Sequence, residues 1–250
     1  MGPGDYGLLA VAGVAAGAVN AVAGGGSLIS FPALVATGLP ALGANVTNQV
    51  AVLPGYLGGS LAYRDELRGQ RRRVVVLGVG SALGALVGAI LLVLSSERLF
   101  AVLAPVLVLV AVALLAAQPS LARFVQPRRP HEPHARGLHV ANFLASVYGG
   151  YFGAGLGIML LAILAIGLED ALQRLNALKG VLSLVVAVVA AAYFAAFGPV
   201  RWEAAAVMAV ASFAGGQVGV RFARRIDDRA LRWGIVVVGT GVAVWLFVRL

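Results

Sequence analysis

Long tracts without an ionisable side chain constrain this fold more than any other feature of the sequence. Residues 74–94 form one such tract of 21 residues, and a helix of that length crosses a hydrocarbon core about 30 Å thick. The chain is 60% hydrophobic and 12% charged, whereas soluble domains carry about twice that share of charge. The alternating pattern of barrel strands is missing, so we predict an all-α polytopic membrane protein.

Apolar segments divide the chain into two halves of five segments each. A polar stretch at 118–137 separates them and contains four prolines, a density that we expect to interrupt a helix. We therefore predict a first transmembrane repeat at 1–117, a cytoplasmic linker at 118–137 and a second repeat at 138–250. The predicted segments are 6–23, 27–37, 42–63, 74–94, 99–117, 138–152, 156–167, 171–197, 202–222 and 230–248. Segment 6–23 has no positively charged start and is expected to belong to the mature protein.

The two halves match at a nearly constant spacing, which indicates an internal duplication. A glycine-rich turn ends the first segment of each half, at residues 24–26 and 153–155. Polar residues follow at corresponding positions, and small residues repeat in the fourth segments. The matched pairs are Asn45 with Asn176, Asn48 with Lys179, Ser81 with Ser212, Gly84 with Gly215, Gly88 with Gly219 and Arg98 with Arg229.

Basic residues predict the orientation of the halves in the membrane. An odd number of segments per half inverts the second half, and this arrangement puts 15 of the 19 Lys and Arg residues on one face. Arg98, Arg201 and Arg249 fall on the other face, and Lys179 lies within a segment. Because positive loops stay in the cytoplasm, we expect a bacterial inner-membrane protein with arginine-rich loops inside and both termini outside. The net charge of +9 is thereby explained without a nucleic-acid partner.

Two segments are too short to cross a bilayer. Segments 27–37 and 156–167 would be roughly 16–18 Å long as helices, about half of a span. Glycines rather than polar loops join each of them to the preceding segment. We predict two re-entrant hairpins that enter from opposite faces, each followed by about three transmembrane helices, as in inverted-repeat transporters.

The glycine tips of these hairpins are candidate anion-binding sites. Free backbone N–H groups and the positive end of a helix dipole favour an anion at the start of the short second helix. Close packing of helices is the alternative role for such glycines, and it is the role we expect for Gly80, Gly84 and Gly88. The candidate binding residues at the tips are Gly24, Gly25, Gly26, Ser27, Gly153 and Gly155.

Polar residues beside the tips complete the candidate site. Asn45, Asn48 and Gln49 begin the third segment, and Asn176 and Lys179 occupy the matching stretch of the eighth. A lysine about 12 Å deep in a membrane helix marks a function by default, although its side chain could also reach toward the headgroups. The asparagines could contact substrate or hydrogen-bond between helices. Asn20, Asn142 and Tyr151 are weaker candidates, the last as a gate.

The sequence offers little support for catalysis. Lys179 and Ser183 are four residues apart on one helical face, but no oxyanion-binding arrangement accompanies them. The three histidines lack cysteine or intramembrane carboxylate partners, so we expect no metal, no cofactor and no enzyme activity.

Several short motifs of the first half are similar to a known family. They are residues 20–29 (Asn-Ala-Val-Ala-Gly-Gly-Gly-Ser-Leu-Ile), Pro32, Gly38-Leu39-Pro40 and Thr47-Asn48-Gln49. Together they resemble the first repeat of TauE/SafE-type anion exporters. Residues 152–155 and Leu178-Lys179 resemble the second repeat. Gln49 stands where a lysine is common in that family, which leaves the charge of the preferred substrate open.

The resemblance implies export of a small sulfur-containing or organic anion such as sulfite, thiosulfate or a sulfonate. The residues themselves predict an anion site near the midplane, so we expect a secondary transporter that works by alternating access. Its partners would be the anion, the lipid bilayer and a coupling proton or other ion, with the oligomeric state open. A passive anion channel and a non-transport sensor or assembly factor remain as alternatives.

Overall fold

The computed structural model describes residues 1–22, 25–124, 135–223 and 228–248, which form ten α-helices and one short 3-10 helix. The all-helical fold predicted from the sequence is confirmed. The helices are α1 (Pro3–Val22), α2 (Ser27–Ala36), α3 (Ala41–Ala62), α4 (Arg71–Leu94), α5 (Glu97–Phe124), α6 (Ala135–Tyr151), α7 (Leu156–Gly167), α8 (Leu172–Phe197), α9 (Trp202–Ala223) and α10 (Asp228–Val248), and the 3-10 helix is Asp65–Leu67.

The surface of this bundle is apolar. By length and composition, α4, α8 and the first 21 residues of α5 can each cross a membrane. Large aliphatic side chains point outward along the helices, for example Leu94, Val210 and Val11. Water would oppose such exposure, whereas lipid tails accept it. Polar side chains such as Asn45, Asn48 and Lys179 are instead buried, as expected for a membrane protein.

Helix α5 continues beyond its predicted end. The prediction stopped the helix at Ala117, before the prolines, but α5 passes Pro119 and ends at Phe124. A proline removes one backbone hydrogen bond and crowds the preceding turn, and a long helix can absorb that cost at its last turns. The remainder of the predicted linker up to residue 134 lies outside the described residues, and α6 begins at Ala135.

Each glycine-rich turn joins a long helix to a short antiparallel one. Helix α2 folds back along α1, and Pro32 and Ala36 of α2 face a groove shared with Leu8 and Ala15 of α1. Helix α7 folds back along α6, so that Gly167 at its end packs against Leu138. Helices of 10 and 12 residues are about 15 and 18 Å long. Both glycine-rich turns therefore form helical hairpins, and their re-entrant course in the membrane stays a prediction.

Corresponding helices of the two halves make corresponding contacts with the opposite half. Helix α1 packs on α9, and its counterpart α6 packs on α4; likewise α3 contacts α9 while α8 contacts α4. Glycines permit these close crossings, because a methyl group on Gly17 would overlap the Ser212 carbonyl and one on Gly88 would overlap the Val147 carbonyl. For Gly84, whose added methyl would lie 2.5 Å from the Phe143 oxygen, the expected packing role is confirmed. The fourth helix of each half thus belongs to the core of the other half.

Loops from the two halves meet at two ends of the molecule. At one end, Gln70 donates a hydrogen bond to the Arg174 carbonyl, and Arg73 pairs with Asp170. At the other end, the Arg201 N–H donates to Thr47 Oγ1. Helices α3 and α8 run between these ends and contact each other. The sequence-predicted site residues on α3 and α8 therefore lie on two helices, one from each half, that pack together.

Candidate functional site

The first glycine tip is anchored by the helix before it. The Gly26 N–H donates a 2.8 Å hydrogen bond to Asn20 Oδ1 of α1. A methyl group on Gly26 would overlap the Ala16 carbonyl, so this glycine is required for close packing of the tip on α1. Ser27 is buried and begins α2. Gly25 has room for a side chain, and Gly24 lies outside the described residues.

The second tip has a different geometry that also requires glycine. Gly153 and Gly155 have φ angles of +80° and +77°, a left-handed backbone conformation that other residues adopt at a cost. The Tyr148 hydroxyl donates a 2.7 Å hydrogen bond to the Ala154 carbonyl. Helix α7 begins directly after this turn, and Gly157 in its first turn lines the cavity described below.

Two amides of α3 hold the end of α6 beside the second tip. Gln49 Nε2 donates to the carbonyls of Gly149 and Gly150 at 3.2 and 3.1 Å, and Asn45 Nδ2 donates to the Tyr151 carbonyl at 2.9 Å. These are carbonyls that the last turn of a helix leaves without intrahelical partners. The predicted site residues Asn45 and Gln49 therefore make contacts between the two halves.

Asn48 is the remaining predicted residue on α3. Its side chain is fully buried, and both its amide nitrogen and its amide oxygen lack a hydrogen-bond partner among the described residues. Leaving such groups unpaired in an apolar interior is costly. The side chain is thus available to a water or a ligand.

A small cavity lies between the halves, next to the predicted lysine. Its volume is about 20 Å³, room for about one water molecule. Helices α1, α3, α7 and α8 all contribute to its wall, with several glycines and tyrosines around a polar set. The lining residues are Asn20, Gly55, Tyr56, Gly59, Ser60, Tyr63, Gly157, Asn176, Lys179, Gly180 and Ser183.

Lys179 is the charged group of this cavity. Its side chain is 95% buried, with a relative exposure of 5%, and no hydrogen bond or ion pair to it occurs within the described part of the chain. The described residues of the cavity wall include neither Asp nor Glu. An ammonium group buried without a counter-charge is unfavourable and becomes favourable when an anion joins it.

Three neutral groups of the wall also lack partners, and each can donate a hydrogen bond. Asn20 Nδ2, Ser60 Oγ and Ser183 Oγ are buried and unpaired among the described residues. The Asn20 amide is fixed in this orientation because its oxygen already accepts the Gly26 N–H. The cavity thus combines one cation with three hydrogen-bond donors, a set that is complementary to an oxyanion.

The structure brings together some of the predicted residues and separates others. Asn176 and Lys179 line the cavity, whereas the described tip residues (Gly25, Gly26, Ser27, Gly153 and Gly155) and the α3 amides are not among the described residues of its wall. Asn20 and Ser183, which the sequence favoured less, line it as well. Asn142 instead bonds to the Leu77 carbonyl and Ser81, a helix-packing role.

Sequence reasoning did not identify the contribution of α3 to the cavity. Gly55, Tyr56, Gly59, Ser60 and Tyr63 all line it. Their three- and four-residue spacing puts them on one face of the helix. That spacing was the available signal, although small residues at such intervals are also common at ordinary helix contacts in membranes.

An ion network closes one end of the molecule near α8. Asp170 bonds Arg73 of α4 at 2.5 Å and Arg174 at 2.8 Å. Partial burial raises the pKa of Asp170, but the Arg73 hydrogen bond, the Ala171 N–H and both arginine charges lower that pKa more strongly, so the net shift is downward. The network joins the start of α4 to the start of α8, which carries the lysine.

Similar proteins identify the family of the chain. A family model described as "Sulfite exporter TauE/SafE" matches residues 9–246. The chain belongs to the TauE/SafE family. Relatives at 26–28% identity carry transporter names: the probable membrane transporter protein ORF9 of a Sinorhizobium species is 26% identical over 238 residues, which cover 95% of this chain and 90% of that protein.

Two further TauE/SafE relatives come from other bacteria. The probable membrane transporter protein of Haemophilus influenzae is 28% identical, covering 92% of this chain and 89% of its own length. The probable membrane transporter protein YfcA of Escherichia coli K12 is 26% identical, covering 93% and 86%. No solved structure is significantly similar to the chain. Family membership and the apolar helices identify a multi-pass membrane protein and support a role as a membrane transporter.

Proposed function

We propose that this TauE/SafE protein moves a small anion across the membrane and binds it in the cavity beside Lys179. The observation that carries the proposal is the buried Lys179 side chain, which has no hydrogen-bond or ion-pair partner among the described residues and lines a cavity whose described wall has no carboxylate. An anion would supply the missing charge. Asn20, Ser60 and Ser183 would donate hydrogen bonds to it, and Asn176 would orient it.

The tips would contribute to this site in different ways. The second tip, Gly153–Gly155, directs α7 so that its first turn, with Gly157, borders the cavity, and the positive end of the α7 dipole would favour an anion there. The first tip, residues 24–27, would act through Gly26, which orients Asn20. Asn45, Asn48 and Gln49 would act at the matching position of the other half.

The small volume of the cavity points to alternating access as the transport mechanism. A space of about 20 Å³ holds about one water molecule, so a sulfur oxyanion could enter only if the surrounding helices separated. Rocking of one half against the other would open the site to each side in turn. The packing of α4 and α9 against helices of the opposite half, and the contacts of Gln70 with Arg174 and of Arg73 with Asp170 at one end, support two inverted repeats. The arginine-rich end would lie in the cytoplasm of a bacterial inner membrane, with both termini outside.

The substrate we propose is a sulfur-containing anion such as sulfite, thiosulfate or a sulfonate, or another small organic anion. The description of the family as sulfite exporters favours the first class. No nucleotide-binding loop occurs in the sequence, so a gradient of protons or another ion would drive transport.

The test is efflux of radiolabelled sulfite, thiosulfate and sulfoacetate from proteoliposomes that contain the full chain. We expect Lys179→Ala to reduce flux at least about tenfold. The attraction between the anion and the Lys179 ammonium group in a desolvated site is worth more than about 1.4 kcal/mol, and the substitution removes it. Val188→Ala is the matched control, since Val188 lies on α8 and faces outward. Normal flux in Lys179→Ala, or no flux of any of these anions in the wild type, would contradict the proposal.

Saturation and exchange separate a carrier from a pore. A carrier saturates, and an anion on the far side accelerates efflux by counter-transport, whereas flux through a passive channel rises linearly with concentration and shows no such acceleration. Linear flux without counter-transport would leave anion movement intact but overturn alternating access.

A further inference from the structure

We propose that the Lys179 cavity selects anions by charge and takes singly charged anions in preference to doubly charged ones of the same size. This inference rests on the proposed function, since it assumes that the cavity binds the transported anion. It narrows the substrate class to small monoanions, such as a simple alkanesulfonate or hydrogen sulfite.

The charge balance of the cavity is the first argument. Lys179 contributes one positive charge, and the other described lining residues are uncharged side chains or glycines. A monoanion beside Lys179 makes the site neutral, whereas a dianion leaves one net negative charge in a buried, low-dielectric region. An uncompensated buried charge is strongly unfavourable.

Among the described residues, the two arginines at the start of α4 and α8 are already engaged and do not offer a second cation to a dianion. Arg174, the nearest arginine along α8, is bound to Asp170 and to the Arg68 carbonyl. Arg73 is bound to the same aspartate. Both guanidinium groups are thus already paired, and neither residue lines the cavity.

The neutral hydrogen-bond donors of the cavity do not take the place of a second positive charge. Asn20, Ser60 and Ser183 present one unpaired buried polar atom each. Once the surrounding helices separate, such donors can satisfy the oxygens of one tetrahedral or pyramidal head group. Hydrogen bonds from neutral groups stabilise an oxyanion less than a bond from a cation.

Methanesulfonate and sulfate form a matched pair for the test, because a methyl group in one replaces a charged oxygen in the other. The affinity of the purified full chain for each anion would be measured by calorimetry in nanodiscs at neutral pH and constant ionic strength. We expect methanesulfonate to bind at least about tenfold more tightly. Equal or tighter binding of sulfate would overturn the inference while leaving the proposed function intact. Binding of neither anion would contradict both.

Two variants test whether charge causes the preference. Ser183→Lys places a second ammonium one helical turn from Lys179 and is expected to shift the ratio of affinities toward sulfate by at least about tenfold. Lys179→Gln removes the positive charge and is expected to weaken the binding of both anions. This variant therefore tests the role of the charge even if Ser183→Lys does not fold. Val188→Ala is the control and should keep the wild-type ratio. An unchanged ratio in a folded Ser183→Lys protein, together with wild-type affinities in Lys179→Gln, would overturn the inference.

Discussion

Asn20 performs two functions with the two atoms of one amide group. Its oxygen accepts the Gly26 N–H at 2.8 Å, and its nitrogen is buried at the cavity without an acceptor. The bond to the tip therefore determines that the cavity meets a donor rather than an acceptor. This division of roles can be tested with substitutions that keep one atom and change the other.

We expect Asn20→Asp to fold and to lose anion binding. Its carboxylate can still accept the Gly26 N–H, but an anionic oxygen replaces the donor and would pair with Lys179. Affinity for the transported anion should fall at least about tenfold. Asn20→Leu removes both contacts and should lower the free energy of unfolding by about 1–3 kcal/mol, because the Gly26 N–H is left unpaired. Binding and thermal unfolding of both variants check this, and wild-type affinity in Asn20→Asp would contradict it.

The sequence could predict the lysine and one asparagine of the candidate site but not its hydroxyl groups. Lys179 and Asn176 stand out because a lysine and an asparagine are costly in an apolar tract. Ser60 and Ser183 give no such signal, since a serine in a membrane helix usually bonds to its own backbone. Only the packing of α3 against α8 leaves these hydroxyls unpaired at a cavity, and that packing is not visible in one sequence.

At the scale of helices, glycine-mediated crossings determine how closely the elements approach. Gly84 and Gly88 of α4 face the backbone of α6, and Gly17 of α1 faces the backbone of α9. Small residues at such crossings let helices pack closely where the hydrophobic effect gives no driving force. The position of α6, and hence of the second tip, depends on this contact.

Two alanine substitutions in α4 separate packing from helix propensity. Gly88→Ala places a methyl group on the Val147 carbonyl and should destabilise the protein by about 1–3 kcal/mol through overpacking. Gly78→Ala in the same helix meets nothing within 4 Å and should leave stability unchanged or raise it by up to about 1 kcal/mol. Thermal unfolding in detergent measures both. Equal effects of the two substitutions would contradict the packing role of Gly88.

Helix positions were predicted well where glycines or polar loops mark them. Helix α7 has the predicted bounds of residues 156–167, because a left-handed glycine precedes it and a glycine ends it. The end of α5 was harder, because Pro119 was expected to stop the helix that in fact reaches Phe124. Proline within a helix is tolerated in this protein, since Pro32 and Pro54 also lie inside helices.

At the scale of the whole molecule, the structure is organised by contacts between the halves. The matched spacing of the two glycine turns predicted a duplication, but it could not predict that α4 and α9 pack in the opposite halves. That arrangement depends on residues far apart in the chain. The orientation of the assembly in the membrane remains a prediction from the charges.

The chain contains no cysteine, so single cysteines can report this orientation directly. Ala36→Cys at the end of α2 and Glu169→Cys after α7 introduce thiols at exposed positions. If the hairpins enter from opposite faces with the arginine-rich loops inside, a membrane-impermeant maleimide should label Cys at position 36 in intact spheroplasts and position 169 only after lysis. Labelling of both positions from one side would contradict the inverted arrangement, and the unmodified chain serves as the blank.

The shared amide of Asn20 has a thermodynamic consequence for the proposed transport cycle. The Asn20 amide holds the tip through its oxygen, and the residue lines the cavity. A shift of the first hairpin that breaks the Gly26 bond would therefore also let the Asn20 amide rotate away from the cavity. Ligand affinity and hairpin position are then linked, and linkage is reciprocal. Displacement of the hairpin would lower the affinity for the anion by some factor, and a bound anion would favour the undisplaced hairpin by the same factor. A change in bilayer thickness or lateral pressure that moves the hairpin would therefore change the apparent affinity for the anion.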